Sequence, residues 1–363
     1  MASDAIVKEV STFTPTAVEQ QVFTLSCLSG MASKSQMSQS DMQEQLRVWE
    51  ANIGTWKAVW GPCYTFKPLA TIPCNTMYVA QALDAAQPTY VVAIAGTVAG
   101  SFYDWMTEDL NIAPVDWPHA SNAGQVTTGD NDGLNNLLKM TYEGQTLQEF
   151  LSSITNKSSA SLTFTGHSLG GALAPMLTLA LMDPASTLKA ENDVSIGNWA
   201  EVSLLATAGP AIGDVTFVQY FNAALAAASC TFIWNVNDVV PHAWNQATMM
   251  ELTSPTNIYN LTLDPSQCLA NKLGYYQGEA GLYTYTQFEQ VPAFAGVLQP
   301  YTMSISQGTW TPESEFLAQA LYQHINAYGI AFNCTGWVKL IADPCADPKL
   351  AAELLAAVNA LCE

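Results

Sequence analysis

The stretch LTFTGHSLGGALAP, residues 162–175, constrains the fold more than any other part of the chain. Leu162, Phe164 and Gly166 alternate with Thr163 and Thr165, the period of a strand. From Gly170 to Met182 the sequence turns to Ala, Leu and Met, the composition of a helix. Between them Gly166-His167-Ser168-Leu169-Gly170 fits G-x-S-x-G, the sharp strand-to-helix corner that exposes a nucleophilic serine. The glycines remove the side chains nearest the corner, so a strained backbone can lift the hydroxyl into the open. The helix starting beside Ser168 turns its unpaired N–H groups and positive dipole end toward any anion formed there. Pro175 falls beyond the first turn and is expected to kink the helix or delay its regular start. Alone the pattern is weak, and its context must carry it.

That context is a chain in which strands and helices alternate. An apolar strand is expected at Tyr90 to Ala95, a helix from Thr146 to Asn156, then the strand ending at Gly166 and its helix. A strand at Val202 to Ala208, a helix at Val215 to Ala228 and a strand at Thr231 to Val236 follow. Such alternation predicts an α/β fold with a mostly parallel central sheet flanked by helices, and reactive groups beyond the carboxyl ends of its strands. Residues 16–33 read as a helix. A second helix is read from Met42, Leu46, Trp49, Ile53, Trp56 and Trp60, with Ser40 and Gln43 as its capping box and Gly61-Pro62 as its stop. This stripe reads as core packing ahead of a lipid-docking face. Residues 263–299 read as an added hairpin or rim, and residues 312–331 as a helix with Thr311 as N-cap and Pro312 in its first position. No repeat or long linker divides the chain. The expected organisation is an N-terminal helical segment (1–75), a catalytic domain (76–332) and a C-terminal helical extension (333–363).

Net charge narrows the partners. The formal charge of −20 comes from 31 acids against 11 bases, and no basic cluster relieves it, so nucleic acid and anionic membranes are not expected partners. No run of 18 apolar residues signals a transmembrane helix, and MASDAIVKEV lacks the features of a signal peptide. The chain is thus expected to be cytoplasmic or to have lost a leader. The eight cysteines and three Asn-x-Ser/Thr sequons lean toward a secreted or lumenal protein, with Cys334 to Cys362 read as a stapled segment. The cysteines form no C-x-x-C pair and have no His-rich neighbourhood, so no metal and no cofactor is expected.

A nucleophile at Ser168 needs a base, an orienting acid and donors for an oxyanion. The histidines are His119, His167, His242 and His324. His167 adjoins the nucleophile and is expected to pack under the turn. His119 precedes it, out of the chain order of Ser, acid, His. His324, downstream of every core strand, is the expected base, with His242 as the alternative. Asp238 ends an apolar strand in TFIWNVNDVVPHAW and is the expected acid, ahead of Asp193, Asp214 and Asp264 in polar surroundings.

With VVAIAGT (91–97), GHSLGGALA (166–174), TAGPAIGDVTFVQYF (207–221) and VNDVVPH (236–242) in this order, the chain resembles the fungal-type class 3 lipase family. The resemblance spans roughly residues 75–330. It implies an α/β-hydrolase fold, a triad of Ser168, Asp238 and His324, and an oxyanion hole from Thr97 and the N–H of Leu169. It also implies a lid over Val98–Leu110, after the first oxyanion strand. The implied function is a serine hydrolase cleaving carboxylic esters of lipids at a lipid–water interface, foremost a triacylglycerol lipase. The alternatives are a phospholipase A1, a short-chain or feruloyl esterase, and a catalytically inactive lipid-binding relative. Ala95 departs from the family's usual arginine, and the last 30 residues have no counterpart in it.

Overall fold

The computed structural model describes residues 13–97, 111–189, 193–254, 257–264, 268–289, 293–299 and 311–334. Seven strands form the central sheet: β1 (Trp56–Thr65), β2 (Asn75–Ala82), β3 (Thr89–Ile94), β4 (Ser161–His167), β5 (Glu201–Thr207), β6 (Ser229–Asn235) and β7 (Ala293–Phe294). They lie side by side in chain order. The first two pairings are antiparallel and β3 through β7 are parallel, so the expected mostly parallel sheet is present.

Side chains that alternate along a strand face opposite sides of a sheet, and the sheet divides two cores in that way. On β2 and β3, Tyr78, Ala80, Val91 and Ala93 join one cluster, while Met77, Val79, Val92 and Ile94 join the other. The first face is closed by α1 (Ala17–Ser35), α2 (Gln39–Val48) and α7 (Pro312–Leu321). The second is closed by α3 (Thr128–Lys139), α4 (Leu169–Met182) and α5 (Val215–Ala224). Every residue of α4 from Gly170 onward is buried, which explains a composition apolar all round. The helix begins at once at Leu169 with Pro175 inside it. Its start is not delayed, because burial on both sides outweighs one missing intrahelical hydrogen bond.

Three sequence expectations are corrected. The apolar stripe from Met42 to Trp60 is not one helix: α2 ends at Val48, a short turn covers Glu50–Ile53, and Gly54 at φ 79° releases the chain into β1. Positions four apart satisfy both the helical and the strand period, so Trp56 and Trp60 fitted the stripe while belonging to the strand. A register shift between Ala58 and Trp60 sends the two indoles to opposite cores, and all six stripe residues are buried. Gly61-Pro62 lies within β1, and the capping box is Ser38 with Asp41. The span 263–299 carries a 16-residue helix, α6 (Cys268–Tyr283), whose glycines hid the period kept by Leu269, Leu273, Tyr276 and Ala280. Cys334 is a thiol accepting from the Thr24 hydroxyl, not one end of a staple; Cys268 is disulfide-bonded.

Asp130, in the first turn of α3, makes a testable exception to the apolar interior. Its carboxyl accepts from the Thr127 hydroxyl at 2.6 Å and is buried, and burial raises its pKa to about 6. An acid whose pKa is higher folded than unfolded loses stability as pH rises toward the folded value. Asp130→Asn removes that penalty. The stability gap between variant and parent is therefore expected to shift by about 2 kcal/mol in the variant's favour between pH 4 and pH 7.5, measured by urea unfolding at both.

Candidate active site

The corner after β4 is as tight as the sequence implied. Ser168 has φ 61° and ψ −125°, a left-handed conformation for a non-glycine residue, and is the N-cap of α4. A Cβ on Gly166 would lie 2.1 Å from the Gly170 carbonyl oxygen, so only glycine lets the helix start double back against the strand. A Cβ on Gly96 would meet the His167 carbonyl oxygen at 2.6 Å and the Ser168 Cβ at 3.0 Å. Gly96 thus lies directly beside the serine, and Thr97 is the next residue in the chain. Leu169 is the first residue of the helix. The expected lid, 98–110, lies outside the described residues.

Asp238 and His324 come together although 86 residues separate them. Asp238 sits just past β6, fully buried. His324 Nδ1 lies 2.8 Å from its Oδ2 and 3.0 Å from its Oδ1. Because a carboxylate only accepts, Nδ1 carries the proton and donates it. The Val240 N–H donates to Oδ1 at 3.0 Å, and the Tyr328 hydroxyl also hydrogen-bonds the carboxylate. His324 lies in a π-helical stretch, Tyr322–Asn326, that continues α7. Such widened turns recur at functional sites because they re-aim a side chain within a helix.

His167, next to the serine, ties the corner to this pair. Its Nε2 donates to the backbone carbonyl of His324 at 2.8 Å, and its Nδ1 faces the Thr207 hydroxyl at 3.0 Å. Burial, reinforced by the nearby His324 ring, pushes its pKa well below the usual histidine range and holds it uncharged. The rings of His167 and His324 are 4.8 Å apart, so a neutral His167 spares His324 a second positive charge. The packing role expected for His167 is present, with this tether added.

The other candidates go elsewhere. His242 is buried with Nε2 at 3.0 Å from the Val236 carbonyl and Nδ1 at 3.4 Å from Glu251, so it binds its own loop. Asp214 caps α5 through the Phe217 N–H at 2.7 Å. Buried His119 packs its ring against Trp117.

Sequence reasoning missed two supporting groups. Tyr328, four residues after His324 in AYGIA, also bonds the Asn235 N–H at 2.8 Å; the helical spacing in YQHINAYG was the available signal. Asn235, at the end of β6, donates to the Gln323 carbonyl at 2.9 Å and to its side-chain oxygen at 2.8 Å. The residue before His324 is thereby pinned to the sheet, and nothing in the sequence marked Asn235.

A parallel sheet with a serine corner at its carboxyl edge and a buried histidine–aspartate pair beside it defines an α/β-hydrolase. Residues 91–248 match the model of the class 3 lipase family, and this match, with the fold, supports a lipase-type ester hydrolase. The solved structure of M37 lipase is similar, with 27% identity and a TM-score of 0.72 over 88% of this chain and 94% of that one. A lipase from Rhizopus microsporus var. chinensis is 22% identical, covering 68% and 77% of the two chains with a TM-score of 0.46. Rhizomucor miehei lipase, in its propeptide complex, is 20% identical with a TM-score of 0.44, covering 67% and 71%. No curated protein matches the sequence.

Proposed function

We propose that the chain hydrolyses carboxylic esters of lipids, acting as a triacylglycerol lipase with Ser168 as nucleophile, His324 as base and Asp238 as its orienting acid. The observation that carries this reading is the buried His324–Asp238 hydrogen bond, tethered through His167 to the corner that holds Ser168. With Nδ1–H given to Asp238, the nitrogen left to take the serine proton is Nε2. The Ser168 oxygen then attacks the ester carbonyl carbon. The backbone N–H groups of Thr97 and Leu169 hold the resulting oxyanion, the second aided by the start of α4. His324 passes its proton to the departing alcohol, and water repeats the sequence to free the fatty acid.

Asp238 stays ionised throughout and stabilises the imidazolium. The Tyr328 hydroxyl and Val240 N–H satisfy its remaining lone pairs, as a buried carboxylate requires. Tyr328→Phe strips one of these donors and leaves the Asn235 N–H unpaired. It is expected to lower stability by about 1–3 kcal/mol and kcat by no more than roughly tenfold, since the aspartate–histidine bond remains. Thermal melts and kcat on a soluble p-nitrophenyl ester check both.

The experiment that tests the function is hydrolysis of emulsified long-chain triglyceride, followed by fatty-acid release as substrate passes its solubility limit. Rapid release from the emulsion supports the lipase; activity confined to dissolved short-chain esters replaces it with a soluble esterase. Labelling by a fluorophosphonate separates either enzyme from an inactive lipid binder.

A further inference from the structure

We propose that the loop joining β1 to β2, residues 66–74, is a docking element that seats the protein on a lipid–water interface. This rests on the reading of the chain as a lipid-ester hydrolase, whose substrate is gathered in aggregates rather than dissolved.

Its position is fixed by strand pairing. Thr65 pairs with Asn75 across the mouth of the loop, and the Thr76 carbonyl accepts the Ala95 N–H at 2.9 Å. Ala95 precedes Gly96, which packs against Ser168. The loop therefore leaves the sheet at the level of the serine corner, two strands from it, or about 10 Å along the sheet.

Its surface is unlike that of a solvated turn. Residues 66–72 are all exposed, among them Phe66 at 45%, Ile72 at 50% and Leu69 at 104%. Leu69 also has φ 66°, a region branched side chains avoid and Gly or Asn would occupy more easily. A strained leucine held wholly in water is costly twice over, and strain of this kind collects where function requires it. The loop is nevertheless held in place. Gln36 Nε2 donates to the Thr71 carbonyl at 2.7 Å, Ala70 N–H to Lys67 O at 3.0 Å, and Cys74 N–H to Thr65 O at 2.9 Å. The Tyr64 hydroxyl at its base bonds the Met37 carbonyl at 2.7 Å. The three apolar side chains are therefore presented without further ordering on binding.

Charge identifies the occupant. From Phe66 to Cys74 the loop has no carboxylate and one base, Lys67, in a chain with 31 acids. Along its own sequence it is a gap in the chain's negative charge, suited to apolar matter rimmed by phosphate headgroups, and it carries aliphatic and aromatic wedges that such a surface can bury.

The test uses full-length Ser168→Ala protein, which binds without turnover, floated with triolein droplets coated in phosphatidylcholine. Adding Phe66→Ser, Leu69→Ser and Ile72→Ser together is expected to lower partition onto droplets at least tenfold. Leu69→Asn alone, which relieves the backbone strain and so is expected to fold, lowers it at least threefold. With Ser168 intact, both loop variants hydrolyse dissolved p-nitrophenyl acetate at the parental rate and lose activity on the emulsion in the same proportions. Equal partition of loop variants and parent overturns the proposal, as does failure of the Ser168→Ala protein to float at all. A protein that cleaves no ester yet floats through this loop refutes the hydrolase reading and retains the docking element.

Discussion

Ser168→Ala lowers ester hydrolysis by about 10⁴-fold or more and abolishes fluorophosphonate labelling, while the melting temperature stays at the parental value. The expectation follows from what the corner holds in place. The backbone at residue 168 is bent to φ 61° whichever side chain it bears, and Gly166 and Gly96 absorb the crowding around it. Alanine therefore inherits the same fold and loses only the oxygen. The residual rate measures what the oxyanion donors and substrate binding contribute alone. Retention of even a tenth of the parental rate on p-nitrophenyl butyrate would remove Ser168 from the mechanism.

Asp238→Asn is expected to cost about 10⁴-fold in kcat with little change in KM. An asparagine amide in the same place can give a proton to His324 Nδ1, where the carboxylate at 2.8 Å could only accept one. The imidazole then carries its hydrogen on Nε2, and the nitrogen that should take the serine proton has none of its lone pair to offer. The Tyr328 hydroxyl and Val240 N–H still find an oxygen at that position, so folding survives better than activity. Burst kinetics with a p-nitrophenyl ester locate the loss in acylation; an undiminished acylation rate would show that Asp238 only braces the loop.

Much of this arrangement could be read before any coordinates. Local periodicity placed β3, β4, β5 and β6 to within a residue or two, since each is a short apolar run bounded by turn residues. The serine corner was legible because sterics allow so few sequences there. Asp238 and His324 were singled out by their chemistry and chain order, in agreement with the resemblance to class 3 lipases, and the fold brings them within hydrogen-bond distance. What failed was local ambiguity settled at long range. Trp56 and Trp60 fit a helix until Gly54 turns the chain and β2 claims it as a sheet partner. Gly274, Gly278 and Gly281 argue against a helix that burial of Leu269, Leu273, Tyr276 and Ala280 nonetheless holds. The supports around the site, His167 on the His324 carbonyl and Asn235 on Gln323, depend on residues 88 to 157 positions apart.

Phe23 of α1 stacks on Phe332 at 4.1 Å and meets the His167 ring edge-on at 5.9 Å. The first described helix and the last described helical turn thus clasp each other beneath the corner. During translation the serine emerges long before its imidazole, and a growing chain can expose the hydroxyl without any means of ionising it. In the proposed mechanism reactivity requires the late helix to reach its seat beside α1, so a polypeptide that ends before His324 is expected to be inert toward the esters around it.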